Sequence, residues 1–481
     1  MKEQSKFYSS LGLLVLLNII IKPVWIFLVD RQVQNHVGPE EYGIYFSLLN
    51  FSIVFSFLLD WGLTAFFNRQ LAANDSMNNR IGDILLTRLF FILIYAAVIF
   101  LVAGFSGIRR WDILWKITGI QVLTSLFIFL RSIITAQQWF RTDAWLSVLD
   151  KTMMILICGS FLYLPARFGE ISIDRFLLVQ LIATSFAVIC AGTILLQRRI
   201  AIFRIGKGYI ERSLFRAALP FGIVVLLMSA HYRLDGFLLE RLHTNGAHEA
   251  GLYAGAYRLL DAANMIGYLL ASFLLPFMAR QHSLDKDTGD IVLNGRHLLL
   301  LFSIFIAAAA IFLAPWIQTI LYHNNDQAAI EIIQLCLPAL IGYSLVQVYG
   351  TVLTATGHIV SFCRIVLVSL VVNVILNLLL IPGYGAQGAC IAALVSQGSC
   401  GIATMIVANK KCGTTIHSRS LFIYIFIAAA AAGFLYFCVH SGVNNWLLVT
   451  ATGLLVLLLA TLTGLLNAKR WIIFFKQTHT K

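Results

Sequence analysis

The sequence predicts an all-α integral membrane protein of about fourteen transmembrane helices, grouped as two pseudo-two-fold-related six-helix lobes and a terminal helix pair. An apolar composition, recurring long apolar runs and an internal repeat predict this fold class. Of the 481 residues, 59% are hydrophobic and only 12% are charged, with a mean hydropathy of +0.84. Soluble domains carry about 25% charged residues, so roughly half of the usual charge is missing here.

Apolar runs of about twenty residues recur along the whole chain, and such a helix crosses a hydrocarbon layer ~30 Å thick. Helices pair every backbone polar group internally, which lipid requires. The predicted spans are 8–29, 42–67, 83–105, 113–135, 146–166, 174–196, 216–240, 250–278, 293–315, 329–355, 361–381, 386–408, 419–440 and 445–467.

These spans divide the chain into four parts. Residues 1–197 are predicted as the first lobe, 198–215 as a basic cytoplasmic linker, 216–412 as the second lobe, and 413–481 as the last two spans with a cytoplasmic tail. The linker mixes basic and apolar side chains. It therefore predicts either a short amphipathic helix on the inner leaflet or a plain basic loop.

The 35 basic residues are distributed unevenly over the predicted loops. With a cytoplasmic N terminus, 25 fall on the inner side, 7 on the outer side and 3 inside spans, which accounts for all 35. Cytoplasmic loops carry such an excess of lysine and arginine. The distribution predicts that both termini are cytoplasmic, and it explains the net charge of +13 without a nucleic-acid partner.

An eight-residue pattern occurs twice, 208 positions apart. Gly38–Tyr45 (GPEEYGIY) opens span 2 and Gly246–Tyr253 (GAHEAGLY) opens span 8, and both fit G-x-x-E-x-G-x-Y. The alternative is a chance match of two glycine-rich turns. Six spans separate the copies, so the two halves share one orientation. Such repeats are related by an axis along the membrane normal, with the substrate site at their interface.

Charged side chains within a span cost ~2.5–3.5 kcal/mol at the centre and normally face a wet cavity or a partner. Lys22 lies near the middle of span 1, with Asn18 and Trp25 on the same helix face. This polar stripe predicts that Lys22 and Trp25 line a substrate cleft.

A second set of charges lies in the outer halves of spans 7 and 8. On span 7 it consists of His231, Arg233 and Asp235, and on span 8 of Arg258 and Asp261, which are one turn apart. We expect Arg233 and Arg258 to line the cleft, and the others to form an ion-coupling or charge network. The alternative is a closed network that only joins the two helices.

Two polar residues of span 2 complete the candidate site. The 208-residue offset of the repeat makes Asn50 the counterpart of Arg258, so Asn50 is predicted to line the cleft. Asp60 lies nearer the inner side, where it is predicted to belong to the charge network or to pair with Arg69. Cations in a water-filled cleft suit a phosphate-bearing head group, although the three intramembrane aspartates balance the three cations.

The chain resembles the polysaccharide transporter branch of the MOP (multidrug/oligosaccharidyl-lipid/polysaccharide) exporter superfamily, the Wzx-type O-antigen flippases. The fourteen spans and the two lobes carry the resemblance, together with one motif. The intramembrane Asp235 is followed by G-x-Y-x-x-A-x-[RK], which runs from Gly251 to Arg258. The terminal helix pair favours this branch over the twelve-helix MATE-like drug/cation antiporters.

The resemblance implies alternating access by rocking of the lobes. The expected cargo is an undecaprenyl-diphosphate-linked oligosaccharide that crosses from the cytoplasmic to the periplasmic leaflet of a bacterial inner membrane, for O-antigen, lipopolysaccharide or another surface polysaccharide. Coupling to an ion gradient or the membrane potential is implied, as are polysaccharide polymerase and chain-length proteins as possible partners. Neither a cofactor nor a metal is expected.

Two other classes of function compete with this interpretation. A MATE-like cation-coupled drug exporter would need a cleft lined by acidic and aromatic side chains. A membrane-embedded polysaccharide polymerase or glycosyltransferase would need catalytic acids or bases, normally on a sizeable external loop. The predicted outer loops are short and carry no GxSxG, HExxH or P-loop motif. The sequence therefore predicts a transporter and not an enzyme.

Overall fold

The structure is a computed structural model that describes residues 2–64, 81–200, 212–283, 289–323, 326–413 and 418–466. Most of the predicted linker, the end of the tail and Arg69 lie outside these ranges. The helices are α1 (Lys2–Val24), α2 (Arg31–Val54), α3 (Ile81–Phe105), α4 (Trp111–Ala136), α5 (Phe140–Tyr163), α6 (Ile173–Gln197), α7 (Arg212–Leu242), α8 (Gly246–Ser283), α9 (Gly289–Tyr322), α10 (Gln327–Ala355), α11 (Ile359–Cys412), α12 (Ser418–Val439) and α13 (Asn445–Leu462).

Twelve helical segments of the described residues are long and apolar enough to cross a membrane. Two of them contain a glycine with non-helical backbone angles: Gly38 (φ 82°, ψ 167°) and Gly385 (φ 54°, ψ −131°). Only glycine adopts such angles without strain. Each glycine separates two predicted spans, so the twelve segments correspond to fourteen spans. The all-α membrane fold predicted from the sequence is therefore confirmed.

The chain divides into two compact units, Met1–Ala254 and Gly255–Lys481. Within the first, α1 packs along α5, α4 against α6, and α2 against α7. Small residues of α6 allow close packing, because Ala187 and Ala191 are fully buried in one apolar cluster with Phe129 and Ile133 of α4. The predicted lobe boundaries differ from this division, and they stay a prediction.

In the second unit, α9 packs against α10, α12 and α13. Trp316 of α9 and Trp446 of α13 make an edge-to-face contact with ring centroids 4.8 Å apart. The two halves of α11 are joined by a polar contact in which Asn373 donates to Ser396 Oγ at 3.1 Å. Neutral polar side chains are common between membrane helices, where they hydrogen-bond across the interface.

The helix that contains Lys22 changes geometry one residue further on. Pro23 lacks a backbone N–H, and the chain passes through a π-helical turn, Trp25–Asp30, before α2 continues. Turns of this type are frequent at functional sites because they redirect side chains. In this turn Trp25 and Asp30 are both buried.

Candidate functional site

The predicted site residues are distributed over both units. Lys22, Trp25, Asn50, Asp60, His231, Arg233 and Asp235 belong to the first unit, and Arg258 and Asp261 to the second. Five members of the first unit fall into three places, which are described below; of the other two, both on α7, His231 is buried and Arg233 is half-buried. Whether Arg233 and Arg258 line one cleft stays a prediction.

The first place is a group of three cations, Lys22, Arg131 and Lys151, which we call the cationic cluster. Lys22 interacts electrostatically with both of the others and with Asp150. Lys151 lies eleven residues from the start of α5 and twelve from its end, so it is roughly 17 Å from either end of the helix. Three positive charges therefore come together within the helices of the first unit.

Two carboxylates partly neutralise the cationic cluster. Asp143 accepts two bonds from the Arg131 guanidinium, at 2.7 Å to Nε and 3.1 Å to Nη2. Asp150 lies 3.3 Å from the Lys151 ammonium. Three cations against two carboxylates leave one excess positive charge among these five side chains.

Trp25 forms one wall of this cluster. The Lys151 ammonium lies 5.3 Å from the centre of its ring, within the range of a cation–π contact. The ring also stacks on Phe176 of α6, with centroids 5.9 Å apart and planes 6° apart. One turn before Lys22 in α1, Asn18 donates to Ser147 Oγ of α5 at 2.8 Å. The polar stripe predicted on span 1 thus faces polar groups of α5.

The second place lies where α2 meets α7 and the start of α8. Asn50 is 1% exposed, and a side chain at Gly236 would overlap its amide. Next to this glycine, Asp235 accepts a hydrogen bond from the Tyr253 hydroxyl at 3.4 Å. Tyr253 makes an edge-to-face contact with Phe46. Asn50 and Asp235 are therefore buried in one polar group, in which Tyr253 of the repeated motif takes part.

The two copies of the repeated motif contact each other through their second glycines. A Cβ at Gly43 would overlap the carbonyl oxygen of Ala247 and lie 2.6 Å from the backbone nitrogen of Gly251. A Cβ at Gly251 would overlap the carbonyl of Pro39. The offset of 208 residues maps Gly43 onto Gly251 and Pro39 onto Ala247, so the contact is reciprocal. The two glycines let α2 and α8 cross with their backbones in contact.

The third place follows α2, where a 3-10 turn (Phe55–Leu59) ends at Asp60. Asp60 forms an ion pair with Arg88 of α3 at 2.8 Å, and the Arg88 side chain is only 2% exposed. Arg88 also donates to Thr64 Oγ1 at 2.5 Å and to Ser125 Oγ of α4 at 2.7 Å. These groups line a cavity of about 210 Å³. Asp60 thus has Arg88 as its partner.

Arg258 and Asp261 lie on α8 in the second unit, where both side chains are half-buried. Another buried charge of this unit is Arg296 of α9, which is 1% exposed and donates to the Tyr349 hydroxyl at 3.2 Å. Its guanidinium also lies 6.0 Å from the ring centre of Tyr424. These contacts join α9, α10 and α12.

Sequence reasoning missed Arg88, Arg131 and Lys151, which it counted among the basic residues of the inner side. All three lie inside helices, and each falls within a predicted span. Their position within apolar segments was the signal that could have identified them.

In the described part of the chain, no group of three or more His, Cys, Asp or Glu side chains is arranged to hold a metal ion.

Solved structures share this fold at low sequence identity. An inward-facing multidrug resistance MATE family transporter of the MOP superfamily matches with a TM-score of 0.62 and 12% identity, covering 81% of this chain and 94% of that one. The lipid II flippase MurJ in an inward closed conformation matches with a TM-score of 0.62 and 13% identity, covering 94% and 97%. The MATE transporter VcmN of Vibrio cholerae, in a mutant form, has a TM-score of 0.57 and 15% identity, covering 86% and 97%.

At the level of sequence, no curated protein matches the chain. A family model described as polysaccharide biosynthesis protein matches residues 7–282, which is more than half of the chain. The fold, the fourteen spans and this match agree with one another. The chain belongs to the polysaccharide biosynthesis protein family, and its fold is that of the MOP exporters.

Proposed function

We propose that the protein is a flippase that moves an undecaprenyl-diphosphate-linked oligosaccharide from the cytoplasmic to the periplasmic leaflet of a bacterial inner membrane, for O-antigen or another surface polysaccharide. The cationic cluster carries this proposal. A diphosphate is a compact anion, and inside a membrane protein it needs cations at the same depth. Lys151, midway along α5, and Lys22 supply them.

The composition of the cluster suits binding that is reversible. In a low-dielectric site an anion is attracted far more strongly than in water. A lone buried cation would be costly when the substrate is absent. Asp143 and Asp150 reduce this cost because they pair with Arg131 and Lys151. The diphosphate can compete for the same cations when it arrives, and the carboxylates regain them when it leaves.

The remaining predicted residues take supporting roles in this proposal. Trp25 offers an aromatic wall beside the lysines, and Asn50 a buried amide on α2. Arg233 and Arg258 add cations on the outer halves of α7 and α8. His231, Asp235 and Asp261 are the proposed ion-coupling residues, whereas Asp60 is paired with Arg88. The expected polymerase and chain-length partners would act on the product at the outer leaflet.

A drug exporter fits the cluster less well, because an organic cation would meet the three cations Lys22, Arg131 and Lys151 there. Asp60, a carboxylate that such a cargo could use, already pairs with Arg88. No observation on the described residues favours bond-making chemistry over transport. The lipid-linked saccharide is therefore the better candidate cargo.

The experiment is complementation of a strain that lacks its own flippase, with surface polysaccharide and protein abundance as readouts. Lys22→Gln and Lys151→Gln should each lower the polysaccharide signal about tenfold, the cost of one charge-assisted contact. Lys116→Gln is the matched control, since Lys116 is a buried lysine of the same unit that pairs with Asp174. Full activity of both cluster variants at normal abundance would contradict the proposal.

A further inference from the structure

The cavity beside the 3-10 turn that follows α2 has a largely polar wall. It measures about 210 Å³ and lies between this turn, α3 and α4, with Val225 of α7 on one side. Pockets for drug-sized molecules measure about 300–1,000 Å³. This cavity therefore has room for a single ring with its substituents.

The charges of the cavity wall cancel. Asp60 and Arg88 lie 2.8 Å apart, and Thr64 donates its backbone N–H and its hydroxyl to the Asp60 carboxylate. A metal cation would meet Arg88 there, and a phosphate would meet Asp60. The pair offers acceptors and donors side by side without net charge, which suits a neutral ligand whose hydroxyl groups both donate and accept.

One face of α4 supplies the opposite wall. Gln121, Thr124, Ser125 and Ile128 all line the cavity. Their spacing of i, i+3, i+4 and i+7 places them on one face of a helix. Three of the four are polar, although α4 as a whole is long and apolar enough to cross a membrane. Polar side chains in such a segment commonly face a cavity or a partner helix.

The backbone beside Asp60 is strained. Trp61 has φ 48°, a left-handed conformation that is an outlier for a bulky side chain. Its ring packs against Phe57 and Phe91, with centroids 5.4 and 5.8 Å away. Strain of ~1–3 kcal/mol persists where surrounding packing enforces it, and it concentrates at binding sites. Here the strained residue directly follows Asp60, where the 3-10 turn Phe55–Leu59 ends.

From these observations we infer that the cavity is a carbohydrate subsite that binds one uncharged sugar residue of the transported head group. The inference rests on the proposed function and adds the part of the substrate that is recognised. Gln121 and Thr124 contact sugar hydroxyls, while the Asp60–Arg88 pair accepts from one hydroxyl and donates to another. The diphosphate stays with the cationic cluster, so lipid binding and sugar recognition are separable.

The experiment compares the affinity of the purified full-length protein for two probes. One is undecaprenyl diphosphate without sugar, and the other is the undecaprenyl-diphosphate-linked oligosaccharide isolated from polymerase-deficient cells of the producing organism. We expect the wild type to prefer the second probe. Gln121→Leu and Thr124→Val should each reduce that preference about tenfold, as expected for a lost hydrogen bond, and leave affinity for the bare lipid unchanged.

Gln180→Leu on α6 is the matched control, because Gln180 is likewise half-buried on a helix of the first unit but lies outside the cavity. It should keep the wild-type preference, and the thermal unfolding temperature reports folding of each variant. If both cavity variants keep the preference, the subsite is overturned while the flippase proposal stands. If the wild type binds neither probe, the proposed function fails and the subsite fails with it.

Discussion

Gly43 and Gly251 occupy equivalent positions of the repeated motif, and each packs against the backbone of the other copy. A Cβ on Gly43 would lie 2.6 Å from the Gly251 nitrogen and overlap the Ala247 carbonyl. The contact is reciprocal because the offset that relates the glycines also relates Pro39 to Ala247. An internal repeat has thus produced a two-fold-like helix crossing within one chain, analogous to the isologous contact of a homodimer.

Replacing either glycine should separate the crossing helices. Gly43→Ala and Gly251→Ala should each lower the apparent free energy of unfolding in detergent by about 1–3 kcal/mol, the usual effect of forcing atoms into a packed interior. Gly192→Ala is the control, because a Cβ there has no atom within 4 Å and alanine favours a helix by up to ~1 kcal/mol. Equal stability of all three variants would refute the close crossing.

The effects of substituting Asp60 and Arg88 on the free energy of unfolding should be strongly coupled. Arg88→Gln alone leaves the Asp60 carboxylate without its guanidinium, and we expect a loss of about 3 kcal/mol. The double variant Asp60→Asn with Arg88→Gln should lose less than Arg88→Gln alone, since no unpaired charge is left. A double-mutant cycle of unfolding free energies measures this coupling. Strictly additive losses would mean that the two side chains do not interact.

Trp25 should contribute to the stability of the protein through the contacts of its ring. Trp25→Leu removes the stack on Phe176 and the contact with the Lys151 ammonium, at a cost of about 1–2 kcal/mol. Trp25→Phe keeps a ring in place and should recover part of the loss. The thermal unfolding temperature checks both variants. A phenylalanine variant no better than the leucine variant would show that ring contacts contribute little.

Arg296 should be a structural residue of the second unit. Arg296→Leu removes the hydrogen bond to Tyr349 and the contact with Tyr424. Because hydrogen bonds of charged groups contribute ~1.5–3 kcal/mol, we expect a stability loss of that order. Tyr349→Phe removes a single hydroxyl and should lower the stability by about half as much. Unchanged stability in the leucine variant would contradict the proposed linking of α9, α10 and α12.

Sequence reasoning predicted the spans well, because an apolar run of about twenty residues has few alternatives in lipid. The breaks at Gly38 and Gly385 also fall between predicted spans. The repeat predicted that two motifs correspond, but the direct contact of Gly43 with Gly251 could not be read from it. Spacing along a chain does not tell which faces of two distant helices meet.

The candidate site was predicted only in part. Lys22 stood out because it interrupts an apolar run, and Trp25 because it lies on the same helix face. The structure adds two cations from α4 and α5 beside them. Lys151 escaped notice because it is close to the predicted start of its span, whereas α5 begins six residues earlier, at Phe140. An error of one or two helical turns in the boundary therefore placed a mid-helix lysine near the end of its span, where it was counted with the basic residues of the inner side.

The central claim is that the cationic cluster carries a lipid diphosphate across the membrane. Proteoliposomes of purified protein, loaded with the undecaprenyl-diphosphate-linked oligosaccharide, test it through the fraction of saccharide that becomes accessible to a glycosidase on the opposite side. The account predicts rapid exposure with wild type and Lys116→Gln, and at least about tenfold slower exposure with the Lys22→Gln/Lys151→Gln double variant. Equal rates for the double variant and wild type, or no protein-dependent exposure at all, would contradict it.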